Sequence, residues 1–194
     1  MRTEDQYHFF AMLSRMKNIH RWGLMRNTKS ENLCEHSFET AVIAHALAVL
    51  RNERFGGSVN ADRVAAAALF HDASEIITGD LPTPIKYHNE ELKNAYKAIE
   101  HLAEDRILAL LPDDIKPDYE PLFRPDRETA QLIKAADKLS ALIKCIEERN
   151  MGNREFEVAE QSTRAALEQM DLPEVNLFLA QFADSYALPL DQQK

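Results

Sequence analysis

The stretch NADRVAAAALFHDASEIITGDLPTP, residues 60–84, decides the fold. It reads as a strongly apolar helix that runs into a cluster of ionisable side chains. Asn60 is placed to cap it, because its side-chain oxygen can accept from an unpaired N–H of the first turn. Ala65, Ala68, Leu69 and Ala73 then recur at helical spacing. The helix is expected to stop near Gly79, since Pro82 and Pro84 together forbid a regular helix. The same pattern repeats on both sides. Toward the N-terminus, Glu4–Lys17 carries Phe9, Met12, Leu13 and Met16 on one face, and His36–Leu50 carries Val42, Ile43, Ala46, Leu47 and Leu50. Gly56-Gly57 breaks the chain between that helix and the next. Toward the C-terminus, helices are predicted over Asn89–Leu111, Glu128–Arg149, Glu155–Met170 and Pro173–Ser185. Residues 112–125 hold four of the eight prolines and read as an irregular connection. No alternating strand pattern occurs, and five glycines are few for a sandwich or barrel. The class is all-α, a helical bundle of antiparallel neighbours.

At 194 residues and 45% hydrophobic content the chain fits one domain, 1–194, with a full-sized core. The net charge of −9 argues against a nucleic-acid or membrane-surface binder. The charge is uneven: residues 1–29 hold six Lys/Arg against two Asp/Glu, and the remainder 17 against 30. A basic segment in an acidic chain reads either as one wall of an anion site or as a solvated amphipathic helix. Cys34 and Cys145 make no disulfide framework, and Met1–Phe9 contains Arg2, Glu4 and Asp5, unlike a signal peptide. The longest apolar-rich run without a charge, Thr40–Leu50, is well short of a membrane span. A reducing, cytoplasmic setting is expected. Cys34, although two residues before His36, is expected to be a small core residue. His45 is read as a core or interface residue.

His71 and Asp72 are adjacent, so on a helix their directions diverge by roughly 100°. Both can still reach one ion lying between those directions, and Glu75 follows on the same face. Three ionisable groups on the inward side of an Ala-rich helix are costly to bury unless a cation satisfies them. A polar stripe at a helix end is the simpler alternative. His36 opens another helix in Glu35-His36-Ser37, and Asp137 lies in Lys134-Ala-Ala-Asp137-Lys-Leu on a third.

The order His…His-Asp…Asp over three helices resembles the HD superfamily of metal-dependent phosphohydrolases. Within it, Ile19-His20-Arg21-Trp22, Glu31-Asn32, Glu35-His36-Ser37, His71-Asp72-Ala73-Ser74-Glu75 and Thr78–Pro84 resemble the bacterial 5′-deoxynucleotidase family. The similarity is strongest over residues 8–87 and 131–148 and weakest after about residue 150. It implies a single HD-domain helical bundle: a core of about 28–150, an N-terminal substrate-binding helix 1–27, and C-terminal helices 151–194. It implies a metal-dependent hydrolase that converts 2′-deoxyribonucleoside 5′-monophosphates to deoxynucleoside and phosphate.

The implied ligands are His36, His71, Asp72 and Asp137, holding one divalent ion. Two imidazoles and two carboxylates suit a first-row transition metal. A site that also admits water and a phosphate oxygen needs five or six coordination, which favours Co²⁺ or Mn²⁺ over closed tetrahedral Zn²⁺, with Cu²⁺ and Zn²⁺ as alternatives. Such an ion can polarise a phosphoryl oxygen and acidify water. Glu75 and Asp80 are both candidates for proton transfer, and their roles can exchange. The resemblance places Arg21 on the phosphate and Trp22 where it excludes a ribose 2′-hydroxyl. His36, Asp72 and Asp137 also face the substrate, and Asp80, Leu81, Pro82 and Thr83 line the sugar side. His20 is a weaker candidate for the phosphate. Loose base selection and a homodimer are implied, with no nucleic acid or membrane as partner. Rival readings are a triphosphohydrolase, a cyclic-nucleotide phosphodiesterase, or a nucleotide-binding module without turnover.

Overall fold

Ten α-helices and no strand occur among the described residues, which in this computed structural model are 6–194 apart from Tyr87 and the side chain of Thr83. Helix α1 is short, Phe9–Leu13, and passes into a 3-10 turn over Ser14–Asn18. The sequence predicts one helix over Glu4–Lys17; Glu4 and Asp5 lie outside the described residues, and the α-helix gives way at Ser14. Phe9 nevertheless anchors the segment. It is fully buried with Ala73, Ile107, Leu108, Leu111 and Phe123, and stands edge-on to Tyr119 at 5.1 Å between ring centroids.

Helix α2, Leu33–Phe55, starts at a capping box in which Asn32 accepts from Cys34 and Glu35 while the Glu35 carboxylate accepts from the Asn32 N–H. It ends at Gly56, whose φ of 71° is the left-handed cap that favours glycine. By length and apolarity α2 could cross a membrane. Its residues Ile43, Ala44, Leu47 and Ala48 are buried, as in a core helix. Cys34 is exposed in the first turn, which corrects the expectation of a core cysteine. His45 is half-exposed, 3.4 Å from Asp62, and so is not a core residue.

Helix α3, Ala61–Ala68, is capped by Asn60 as expected. It ends earlier than the sequence suggests. Phe70, Ala73 and Glu75 each donate a backbone N–H to the carbonyl three residues back. This tighter winding ends the α-helix, so His71 and Asp72 stand on a turn rather than on a helix face. Short helices α4 (Glu75–Thr78) and α5 (Thr83–Lys86) follow. Helix α6, Glu90–Leu108, is capped by Asn89. Helix α7, Lys116–Phe123, occupies what reads as an irregular connection: Pro117 sits in the first turn, where no N–H is needed, and only Pro121 lies deeper. Helix α8, Arg127–Asn150, is capped by Asp126.

Helices α9 (Glu157–Glu168) and α10 (Pro173–Gln181) complete the chain. Leu167, Leu172, Val175 and Phe178 join the main core of α2, α3 and α8, so these late helices close the bundle. α2 and α8 cross at its centre, with Leu47, Leu139, Leu142 and Ile143 buried between them and their neighbours. This rigid pair carries the chemistry described next.

Candidate metal and nucleotide site

His36 lies in the first turn of α2 and is completely buried. Its Nε2 faces Asp137 Oδ1 of α8 at 3.2 Å and Asp72 Oδ2 of the 69–74 turn at 3.5 Å. His71 enters from the same turn, its ring 5.2 Å from that of His36. The His71 Nδ1 lies 2.7 Å from the carbonyl oxygen of Ala68, so Nδ1 carries the proton and donates. His71 Nε2 points inward, in ion-pair range of Asp72 Oδ2 at 3.2 Å, and is buried without a hydrogen bond of good geometry. One ligand atom each from His36, His71 and Asp137 lie within 4.8 Å of one another. A buried imidazole nitrogen that makes no hydrogen bond, beside two carboxylates and a second imidazole, belongs to a donor set that fits a divalent transition metal.

The charges agree with that fit. Burial alone would raise Asp72, but His71 and His36 hold it well below the usual carboxylate range. Asp137 is lowered against its own burial by its hydrogen bond to His36. Burial works against the charged form of His71, yet Asp72 outweighs it and lifts the imidazole to about 9. Carboxylates that hold a proton there so firmly also favour a cation in its place.

Glu75 opens α4 and is buried, with Oε2 unpartnered. Burial, then the charges of Asp72 and Asp80, push its carboxyl up to about 9, against Lys86 at 3.8 Å. Lys86 is itself engaged by Glu100 at 2.7 Å. Asp80 is also raised by burial, with Arg21 opposing. Two carboxyls beside the site are therefore biased toward holding a proton, which suits groups that transfer one.

A cavity of about 630 Å³ opens beside this cluster. Arg21, Trp22, Asp80, Pro82 and Asp137 line it, with Ala159 of α9 opposite. Leu81 does not line it, and Thr83 falls on a side chain outside the described residues. His20 bonds Ser30 at 3.0 Å instead of facing the cavity. Several residues that shape the site carry no local signal in the sequence. Ser140 lies 3.0 Å from His36 Nδ1 and donates to Glu39 at 2.6 Å. Phe156 packs against Trp22 at 5.3 Å between ring centroids. Only Ser140 could have been suspected, since it follows Asp137 by three on one helix.

Residues 8–186 match the family described as 5′-deoxynucleotidase YfbR-like. A 5′-deoxynucleotidase of Vibrio vulnificus is 47% identical over 97% of this chain and 98% of its own. The 5′-deoxynucleotidase YfbR of Salmonella typhi is 46% identical over 96% of each chain. Among solved structures, an HD-domain phosphohydrolase of Listeria innocua superposes with a TM-score of 0.79 at 24% identity, covering 92% of this chain and 88% of that one. The cyanophage S-2L HD phosphohydrolase DatZ, bound to dA and one catalytic Zn²⁺ ion, superposes with a TM-score of 0.64 at 20% identity, covering 91% and 95%. These two likenesses concern the fold, which is that of an HD domain.

Proposed function

This chain belongs to the YfbR-like family of 5′-deoxynucleotidases, and from that premise we propose that it hydrolyses 2′-deoxyribonucleoside 5′-monophosphates at a divalent metal held by His36, His71, Asp72 and Asp137. As a 5′-deoxynucleotidase it is a phosphoric monoester hydrolase. The observation that carries the metal assignment is His71 Nε2, buried without a hydrogen bond among His36, Asp72 and Asp137, the last of which lines a nucleotide-sized cavity. The ion supplies Lewis acidity toward a phosphoryl oxygen and toward water; Co²⁺ or Mn²⁺ suits the open coordination best.

The chain's own residues do the rest. Arg21 reaches the site with a planar fork of donors, Nη2 lying 3.8 Å from Asp137, and grips the phosphate. Glu75 manages the proton of the attacking water, and Asp80 that of the leaving sugar oxygen. Trp22 walls the sugar, with Pro82 and the Asp80 segment opposite. We also read the protein as a cytoplasmic homodimer; Phe38, Val42 and Val49 form an exposed apolar stripe along α2 that a second copy could cover. The primary test is phosphate release from dAMP by metal-stripped protein with and without added Co²⁺. Release that depends on the ion is expected, and equal rates in both would overturn the reading.

Sugar selection makes a separate prediction. If the indole fills the space of a 2′-hydroxyl, a ribonucleotide collides or buries an unpaired hydroxyl, at a cost of roughly 1–3 kcal/mol or about ten- to a hundredfold in kcat/KM. Trp22→Ala is expected to narrow the dAMP/AMP ratio by that order. Arg21→Ala should weaken both substrates alike, because the phosphate is common to them. An unchanged ratio in Trp22→Ala would move discrimination to the Asp80–Pro82 segment.

A further inference from the structure

Trp22 is held in an unusual backbone state. Its φ of 60° is left-handed, a conformation bulky side chains rarely adopt. The flanking backbone fixes it there. Arg21 N–H donates to the Glu31 carbonyl at 3.0 Å, Leu33 N–H to the Ile19 carbonyl at 3.0 Å, and His20 pairs with Asn32 in an isolated antiparallel bridge. This brings Glu31 directly opposite Arg21. The Glu31 side chain, only 12% exposed, then turns back over the same two residues. A single oxygen, Oε2, accepts from Arg21 Nη1 at 3.0 Å and from Trp22 Nε1 at 2.9 Å.

We propose that Glu31 is a positioning residue that locks the phosphate-binding Arg21 and the sugar-facing Trp22 into one fixed pose. An ion pair serving only stability would need the arginine alone. Here the indole N–H is tied to the same atom, so the ring cannot turn without losing a charge-assisted bond. The bond also orients the guanidinium. With Nη1 committed to Glu31, Nη2 is left facing the metal-ligand side, 3.8 Å from Asp137. Phosphate grip and sugar selection are thereby coupled through one carboxylate. The proposal rests on the roles of Arg21 and Trp22 given above.

Trp22 is the chain's single tryptophan, so intrinsic fluorescence reports on it alone. The test compares wild type with Glu31→Ala and Glu31→Gln. The readouts are acrylamide quenching of Trp22, kcat and KM for dAMP and AMP with added Co²⁺, and Tm. Glu31→Ala is expected to raise quenching, to raise KM for dAMP about tenfold with a smaller change in kcat, and to narrow the dAMP/AMP ratio. Glu31→Gln, which keeps an acceptor oxygen for the indole, should restore the quenching and most of the ratio. Wild-type quenching and ratio in Glu31→Ala, while Trp22→Ala still narrows the ratio, would overturn the proposal. If Trp22→Ala leaves the ratio unchanged, the sugar-wall reading fails instead, and the quenching of Glu31→Ala still decides whether Glu31 holds the ring. Should Glu31→Ala not fold, Glu31→Asp carries the test. It keeps the charge but withdraws the oxygen by one methylene, so unchanged quenching and ratio in that variant would equally refute the proposal.

Discussion

His71→Ala, Asp72→Ala and Asp137→Ala are each expected to cut Co²⁺-supported phosphate release from dAMP by more than about a hundredfold, because losing a partner behind a ligand already costs about ten- to a hundredfold. Bound metal should fall in step. The three variants probe different parts of the cluster. Asp137→Ala takes away the carboxylate 3.2 Å from His36 Nε2. His71→Ala removes an imidazole nitrogen that is buried without a hydrogen bond. Asp72→Ala is the most informative, since Asp72 stands 3.2 and 3.5 Å from the two Nε2 atoms and could serve either as a ligand or as the charge that orients them. His36 is a poorer probe: it is wholly buried, so its removal would mix a cavity with the loss of a ligand. The measurements are metal content by elemental analysis and the rate of phosphate release, with circular dichroism to show that each variant folds. A variant that keeps both full activity and stoichiometric metal takes its residue out of the site.

What was legible in the sequence was local. Asn60 announces a helix start because a cap needs only its own first turn. The all-α class follows from apolar spacing, which the buried Leu47, Leu139 and Ile143 obey. The His71-Asp72 turn is not legible, because Ala-rich composition continues past the point where the winding changes. Phe70 is drawn against Tyr119 and Phe123, at 6.0 and 5.4 Å between ring centroids, by residues some fifty positions away. The exposure of Cys34 is hidden for the opposite reason: its neighbour Leu33 is fully buried, and one step around a helix of about 3.6 residues per turn is enough to face solvent. The meeting of His36 with Ser140, 104 positions apart, follows from the crossing of α2 and α8 and from no spacing rule. Only resemblance could join His36 and Asp137 to His71-Asp72; it includes Glu31 among the matching residues but gives it no role, and it is silent on Ser140 and Glu39.

Glu75→Gln is expected to separate chemistry from binding. Turnover should fall by about a hundred- to ten-thousandfold, the usual contribution of a positioned acid or base, while metal content and KM for dAMP stay near wild type. The substitution keeps the shape of a buried side chain and removes only its ability to give or take a proton. It also carries a signature in the metal-stripped protein. Burial, Asp72 and Asp80 raise the folded-state Glu75 to about 9, against opposition from Lys86 and Arg21. The unfolded chain ionises near the ordinary glutamate value, so it releases this proton first as pH rises. A raised folded pKa means that the stability associated with the protonated form is complete below about 4.5 and is lost progressively toward 9. Glutamine suffers no such loss. The metal-stripped Gln variant should therefore match wild type in Tm near pH 5 and exceed it by at least about 2–4 °C at pH 8, the shift that 1 kcal/mol gives a chain of this size. Loss of bound metal in Glu75→Gln would make Glu75 a ligand. Near-normal turnover would pass the proton-transfer role to Asp80, and Asp80→Asn would then be the variant that stops the reaction.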